Sequence, residues 1–384
     1  MNRRIAIVRQ RYNPFGGAER FVERAVAALR ARGTSVTIVT RGWPAEAGEN
    51  VLRCDPFYVG NVWRDWSFGR CVRKVVQSRK YDLVQSHERI AGCDVYRAGD
   101  GVHAEWLAQR SRLQKPWQTV MTRLNPYHLF VLSAEKRMFA SSGLRAVICN
   151  SEMVRDEILV HYQLPREMLH VVYNGVDTEL FHPRLRQELG PFARQQLGIP
   201  PTAPVALFVG SGFKRKGLDI ALHALSRSIP VTYLLIVGTD KHSARYARLA
   251  RDIGVAKRVR MVGGQENVLP YYGCADFFIL PTIYDPFSNA ALEAMACALP
   301  VITTEKCGAA TLIAREQCGA IHDARDVSGI ARSIDTLGQD QERARMSINA
   351  RRAAEALTLD AMSIKLLSLY ASLETWHAPV QINA

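Results

Sequence analysis

The chain has 384 residues, 48% of them apolar and 22% charged, which describes an ordinary globular protein and excludes a disordered or collagen-like one. One small domain is excluded by length, and two domains with a cleft between them are expected. Fifty Lys and Arg against 36 Asp and Glu give a formal charge of +14, which favours an anionic partner: a nucleotide, a phosphorylated substrate, nucleic acid or an acidic membrane face.

In chain order, short β-branched runs alternate with longer helical patterns, the signature of parallel sheets covered by helices. Ile5-Val8, Val36-Thr40, Leu83-Gln85, Val95-Arg97 and Ala146-Cys149 read as strands, with an amphipathic helix from Phe21 to Arg30 ending near Gly33. The series restarts at Val205-Gly210 and continues through Leu234-Val237, Val259-Val262, Phe277-Leu280, Val301-Thr303 and Gly319-Ile321. The expected class is therefore α/β, with two α/β domains at 1–180 and 181–360 and a closing helix with its tail at 361–384. The turn-forming run Asn174-Gly175-Val176-Asp177 places the linker near 175–190.

No apolar run approaches the roughly 18 residues of a membrane span, and Ile5-Ala6-Ile7-Val8 is too short for a signal-peptide core before Arg9. A cytoplasmic location is expected. The eight Cys are scattered without a Cys-x-x-Cys pair or a metal-ligand cluster, so they read as reduced, mostly buried thiols, and no metal site is expected.

Three segments carry chemistry. After the first strand, Gly16-Gly17 precedes a helix; it either brings backbone N–H groups to an anion or simply makes a tight turn. After Val205-Val209 comes Gly210-Ser211-Gly212-Phe213-Lys214-Arg215-Lys216-Gly217, either a diphosphate clamp at the carboxyl end of a strand or a solvated basic loop. It is no Walker A loop, because Gly217 stands where that motif needs a hydroxyl for Mg²⁺. The most specific segment is Asp285-Pro286-Phe287-Ser288-Asn289-Ala290-Ala291-Leu292-Glu293, in which Ser288 or Asn289 caps a helix carrying Glu293 in its second turn. That spacing sets two carboxylates around one crevice with helix amides between them, offering acceptors for hydroxyls and donors for phosphate oxygens. Arg215 and Lys216 supply the cations such carboxylates need beside a diphosphate.

Together these segments resemble a retaining glycosyltransferase of family 4, with the GT-B fold of two facing Rossmann-like domains. Val95-Tyr96-Arg97-Ala98-Gly99-Asp100, Gly210 to Gly217 and Thr303-Thr304-Glu305-Lys306-Cys307-Gly308 are similar to segments of family members that glucosylate the heptose of a lipopolysaccharide core. The resemblance implies that Glu293 binds the donor's ribose, that Lys216 and Arg215 bind its diphosphate, and that Asp285 faces its sugar. Amides around Ser288, Asn289 and Ala290, with Gly16 and Gly17, would approach the phosphates. Asp100 is implied at the reacting centre, where many relatives have a His, with Glu19 and His103 as further acceptor-side candidates. Two departures stand out: Asp285 replaces the usual Glu, and Ser211 replaces an Arg common in the basic loop, leaving Arg215 as its substitute.

The implied reaction is metal-independent hexosyl transfer with retention, glucose from UDP-glucose onto the heptose region being the first choice. UDP-N-acetylglucosamine, UDP-galactose, GDP-mannose and ADP-heptose are alternative donors, and a capsular or exopolysaccharide intermediate is an alternative acceptor. A two-carboxylate hydrolase suits Asp285 and Glu293 less well, since they face a phosphate clamp rather than flank one sugar bond. A non-catalytic polyanion- or membrane-binding protein would explain the charge but leaves both carboxylates without use, and nucleic acid is not expected as a partner.

Between His103 and Arg145 seven Lys and Arg stand against two Asp and Glu, interleaved with Trp106, Trp117, Met121, Leu124, Tyr127, Phe130 and Phe139. This segment is either an interfacial element for an anionic leaflet or a solvated helical face over a core, broken into pieces by Pro116 and Pro126. The family resemblance favours the first, because its acceptor is a lipid-anchored phosphorylated saccharide and the enzyme would then sit peripherally on the inner face of the cytoplasmic membrane.

Overall fold

The computed structural model describes residues 4–11, 23, 26–27, 29–31, 33–43, 50–78, 80–229 and 231–374. The chain divides into two compact units, Met1–Asn174 with Leu359–Ala384, and Gly175–Thr358.

The first unit holds seven parallel strands: β1 (Arg4–Val8), β2 (Ser35–Thr40), β3 (Asn50–Arg53), β4 (Leu83–Ser86), β5 (Val95–Ala98), β6 (Ala146–Cys149) and β7 (Leu169–Val171). Their order is β3-β2-β1-β4-β5-β6-β7. β4, β5 and β6 are buried at every position, and residues covered on both faces must be apolar or internally bonded, which makes such strands legible in the sequence. β3 and β7 are the two edge strands and were not anticipated. β3 is largely exposed and β7 spans three residues, so neither needs the apolar run that marks a central strand.

The closing helix, Leu359–Glu374, belongs to this first unit. Met362, Leu366, Leu369 and Tyr370 share one core with Ile5, Ile7, Val36 and Ile38. The unit therefore ends at Asn174 and resumes at Leu359, not at the expected 180 and 361. Asn174-Gly175-Val176-Asp177 is the crossing point: Asn174 Oδ1 accepts from Arg97, Val176 pairs in parallel with Thr358, and Asp177 Oδ1 accepts from the amides of Glu179 and Leu180.

Cys54 and Cys71 form a disulfide between the end of β3 and helix Gly60–Gln77, which corrects the expectation that every cysteine is reduced. The turn between strand and helix brings together two residues that lie 17 positions apart in the sequence. The other six are buried thiols.

Pro116 and Pro126 divide the basic-aromatic segment as expected, each at the start of a helix, Pro116–Arg123 and Pro126–Phe139, after helix His103–Ser111. Phe139 is not on the surface; it packs edge-on against Tyr96 and lies against Tyr162 at 4.4 Å. Trp117, Val120, Met121 and Leu124 are all more than half exposed.

The second unit holds β8 (Val205–Val209), β9 (Tyr233–Val237), β10 (Val259–Gly263), β11 (Phe277–Leu280), β12 (Val301–Thr304) and β13 (Gly319–His322), all parallel, in the order β10-β9-β8-β11-β12-β13. Asp276, just before β11, accepts from Arg186 and Arg194 at 2.7 Å each and from the Val205 amide at 2.8 Å, tying helices Leu185–Glu188 and Gly190–Gln196 to the sheet. In both sheets strand order reverses beside the first strand, between β1 and β4 and between β8 and β11. Ligands of open parallel sheets bind outside the carboxyl ends of the strands at such a reversal.

Candidate active site

At the reversal in the second unit, β8 runs into Gly210 and then helix Phe213–Lys216, which is framed by left-handed Gly212 and Gly217. Gly217 has φ +75°, and a Cβ there would stand 1.9 Å from the carbonyl oxygen of Pro281. Only glycine lets the loop after β8 lie this close to the loop after β11. Ile283 N donates to Arg215 O at 2.9 Å and Thr282 Oγ1 donates to the same oxygen at 2.9 Å, so the two loops are joined through backbone and hydroxyl.

This contact delivers the basic side chains to Asp285. Lys216 Nζ donates to Asp285 Oδ2, and Arg215 Nη1 lies 3.7 Å from the same oxygen while donating to Tyr284 O at 3.0 Å. The Asp285 backbone is held as well, its N–H donating to Lys306 O at 2.9 Å and its carbonyl accepting from Gly308 N at 2.7 Å. Burial alone would raise the Asp285 carboxyl, but Lys216 and then Arg215 hold it below the usual carboxylate range. Asp285 is therefore ionised although only 4% exposed.

Helix Asn289–Ala296 starts beyond it, capped by Ser288, whose hydroxyl accepts from Ala291 N. The first amides of any helix lack an acceptor inside the helix, so the start at Asn289 and Ala290 presents donors suited to an anion. Glu293 is 7% exposed and its Oε2 accepts from Tyr272 OH at 2.9 Å. The two motif carboxylates thus have different partners, cations for Asp285 and a phenol for Glu293. Tyr272 was not among the expected residues; it sits in a separate helix, Leu269–Cys274, and nothing in the local sequence ties it to Glu293. Among the described residues, no three His, Cys, Asp or Glu stand together where they could hold a metal ion.

In the first unit, Asp100 is exposed after β5 and lines a cavity of about 520 Å³. His103 is not among the residues that line it. Its N–H donates to both oxygens of Glu135, at 3.0 and 3.1 Å, and its Nε2 lies 3.1 Å from His128 Nδ1. Burial, with Arg89 nearby, pushes the His103 imidazole down to about 4. Glu135, fully buried, also accepts from Arg89 at 2.8 Å and Tyr162 at 2.6 Å. His87 is buried beside Gln85. Gly16, Gly17 and Glu19 lie outside the described residues.

Two parallel Rossmann-like sheets, the second with a cation-held carboxylate and a helix start at its order reversal, fit the class of nucleotide-sugar glycosyltransferases that the sequence resembles. Residues 15–180 match the Glycosyltransferase Family 4 model and residues 191–353 match Glycosyl transferases group 1, and the chain belongs to this glycosyltransferase family. That assignment decides between the catalytic and non-catalytic readings of the sequence in favour of catalysis.

The chain is 26% identical over 324 residues to the lipopolysaccharide glucosyltransferase WaaG of Escherichia coli (strain K12), covering 83% of this chain and 84% of that protein. The crystal structure of WaaG matches with a TM-score of 0.81 over 97% of this chain and 100% of that one, at 25% identity. The lipopolysaccharide core biosynthesis glycosyltransferase LpsE of Rhizobium meliloti (strain 1021) is 25% identical over 355 residues, 89% of this chain and 94% of that protein. Anabaena Alr3699/HepE, crystallised with UDP-glucose, shares the fold with a TM-score of 0.70 over 96% of this chain and 99% of that one, at 20% identity.

Proposed function

We propose that this enzyme transfers glucose from UDP-glucose to the heptose region of a lipopolysaccharide core, with retention of anomeric configuration and without a metal ion. The observation that carries the reading is the convergence of Lys216 and Arg215 on Asp285 at the reversal of the second sheet. The similarity over more than four fifths of the chain to two lipopolysaccharide glycosyltransferases, one of them of core biosynthesis, supports the substrate class, and a glucosyltransferase among them supports glucose.

In this reading the donor's diphosphate takes Lys216 and Arg215 as its counter-charges, with the amides at Asn289 and Ala290. Asp285, released in part from Lys216, accepts from the donor sugar's hydroxyls. Glu293, oriented by Tyr272, accepts from the ribose. As the bond from the anomeric carbon to the diphosphate oxygen breaks, its electron pair stays on that oxygen, and preorganised cations stabilise the growing charge. The acceptor hydroxyl bonds to the anomeric carbon on the face the diphosphate leaves, and its proton passes to a leaving phosphate oxygen. Asp100 orients the acceptor hydroxyl.

Residues 103–145 form the membrane-facing part of the same reading. Trp117, Val120, Met121 and Leu124 are exposed beside Arg110, Arg112, Lys115 and Arg123, a composition suited to the inner face of the cytoplasmic membrane, where a lipid-anchored phosphorylated acceptor is presented.

The test is a panel of sugar nucleotides offered in EDTA with a heptose-terminated core and a polyprenyl-linked acceptor side by side, the product's anomeric configuration being read by NMR. Glucose transfer from UDP-glucose to the core alone, with retention, is expected. Transfer only to the polyprenyl acceptor, or only from another donor, overturns the substrate assignment.

A further inference from the structure

The first unit carries its own pocket at the place where a parallel sheet binds ligands. The cavity of about 520 Å³ is walled by the residues that follow β1 and β4, by Asp100 after β5, and by helices Gly60–Gln77 and Pro126–Phe139. It therefore sits at the order reversal of the first sheet, as the Lys216 and Asp285 loops sit at that of the second. Its volume is that of a small-ligand site.

Its charge is unusual. Six arginines line it, Arg9, Arg11, Arg64, Arg73, Arg89 and Arg137, against three carboxylates, Asp65, Glu88 and Asp100. Three of the arginines have acidic partners: Arg9 lies 3.5 Å from Glu88, Arg64 2.7 Å from Asp65 and Arg89 2.8 Å from Glu135. The other three have none within ion-pair distance among the described residues. Arg11 donates to Tyr58 OH, Arg137 uses only Nε, to Ser133 O, and Arg73 is exposed. Three guanidinium groups on one cavity without an acidic partner among the described residues, each with a planar fork of donors, match oxyanions and repel cations. Trp66, Tyr127 and Phe130 add aromatic surface on which the C–H face of a sugar ring can rest.

We infer that this cavity binds the acceptor saccharide through an anionic substituent, a phosphate or a carboxylate, held by Arg73, Arg137 and Arg11. The inference rests on the proposed acceptor class and assigns its recognition to named side chains. Asp100, on the same cavity, then faces a ligand whose charge lies on the arginine wall and whose hydroxyl is left for the carboxylate.

The probe is a deacylated, heptose-terminated core oligosaccharide titrated calorimetrically in three forms: intact, dephosphorylated and carboxyl-reduced. The intact form should bind, and one of the two neutralised forms should bind at least tenfold more weakly, which identifies the anion. Arg73→Ala/Arg137→Ala should lower affinity for the intact form to that of the neutralised one, and Arg73→Lys/Arg137→Lys should restore part of it. UDP-glucose affinity of the same variants, measured separately, should not change. Equal affinity for all three forms, absent binding of the intact form, or a double alanine variant that binds like the wild type overturns the inference. The titration needs no turnover, so binding without transfer refutes the proposed reaction and leaves the pocket standing.

Discussion

Lys216 Nζ donates to Asp285 Oδ2 in a setting where the two side chains are only 13% and 6% exposed. A pair this sheltered is held by its own complementarity, and removing one partner strands the other charge, at a cost of about 3 to 5 kcal/mol in buried sites. The pair also separates stability from ligand binding. Lys216→Met should lose affinity for UDP and lose transfer, because the phosphate counter-charge is gone. Asp285→Asn should retain UDP affinity, since Lys216 is set free for phosphate, yet lose transfer. Lys216→Met/Asp285→Asn should melt at a higher temperature than either single variant. Calorimetric UDP titration and thermal melts of the three proteins check this, and an Asp285→Asn protein that no longer binds UDP removes Lys216 from the clamp.

Tyr272 predicts a subtler effect. Its hydroxyl is the phenolic partner of the buried Glu293 carboxylate, and hydrogen bonds to charged groups contribute about 1.5 to 3 kcal/mol. Tyr272→Phe keeps the ring against Phe181 and removes the hydroxyl that donates to Glu293 and lies 3.3 Å from the Ala290 carbonyl oxygen. The donor KM should rise by about an order of magnitude while kcat falls little, because orientation of a ribose ligand is uniform binding. Steady-state kinetics with UDP-glucose decide it. An equal loss in kcat and kcat/KM places Glu293 in the chemical step instead.

The two examples mark how far the sequence reaches. Lys216 and Asp285 follow strands whose apolar runs announce them, and Gly217, with Pro281 against it, enforces the contact between their loops. Glu293 was legible from its spacing after Ser288, but its partner Tyr272 comes from a separate helix and becomes visible only in three dimensions. The same holds for Arg73 and Arg137, two unremarkable exposed helix residues until two helices and a strand reversal enclose one cavity. β3 and β7 escaped because edge strands carry weak patterns. Helix Leu359–Glu374 was placed in sequence order, whereas its apolar face belongs to the first sheet.

Acid should weaken the first unit. Burial keeps the His103 imidazole down to about 4 and the His87 imidazole well below its usual value, so both are neutral when folded. In the unfolded chain each takes a proton near the ordinary histidine value of about 6.5. From there down to about 4 the unfolded state binds more protons, so stability falls as pH falls, by at most about 1.4 kcal/mol per pH unit for each imidazole. Glu135 acts in the same direction lower down. Burial raises its carboxyl, but Arg89 and its hydrogen bonds hold it below the usual range, and its contribution disappears as pH drops through that lowered value. Urea melts at pH 7, 6 and 5 should show a steady loss, and His103→Gln should flatten the slope. An unchanged slope in that variant means that His103 is protonated in the folded protein.

The exposed face of helix Pro116–Arg123 gives the last prediction. Trp117, Met121 and Leu124 are 64%, 66% and 66% exposed, so replacing them with serine removes little packing and should leave the melting temperature unchanged. Insertion of these side chains into a bilayer would bury their apolar surface, and each neighbouring cation near an anionic leaflet adds about 1 kcal/mol, screened by salt. The wild type should float with vesicles containing phosphatidylglycerol and remain behind with pure phosphatidylcholine. Trp117→Ser/Met121→Ser/Leu124→Ser should not float with either. With a deacylated, soluble acceptor the triple variant should turn over like the wild type, and with the same acceptor embedded in vesicles its apparent KM should rise. Vesicle flotation equal to that of the wild type places the membrane contact on some other surface, and equal loss on both acceptors shows that the helix supports the fold instead.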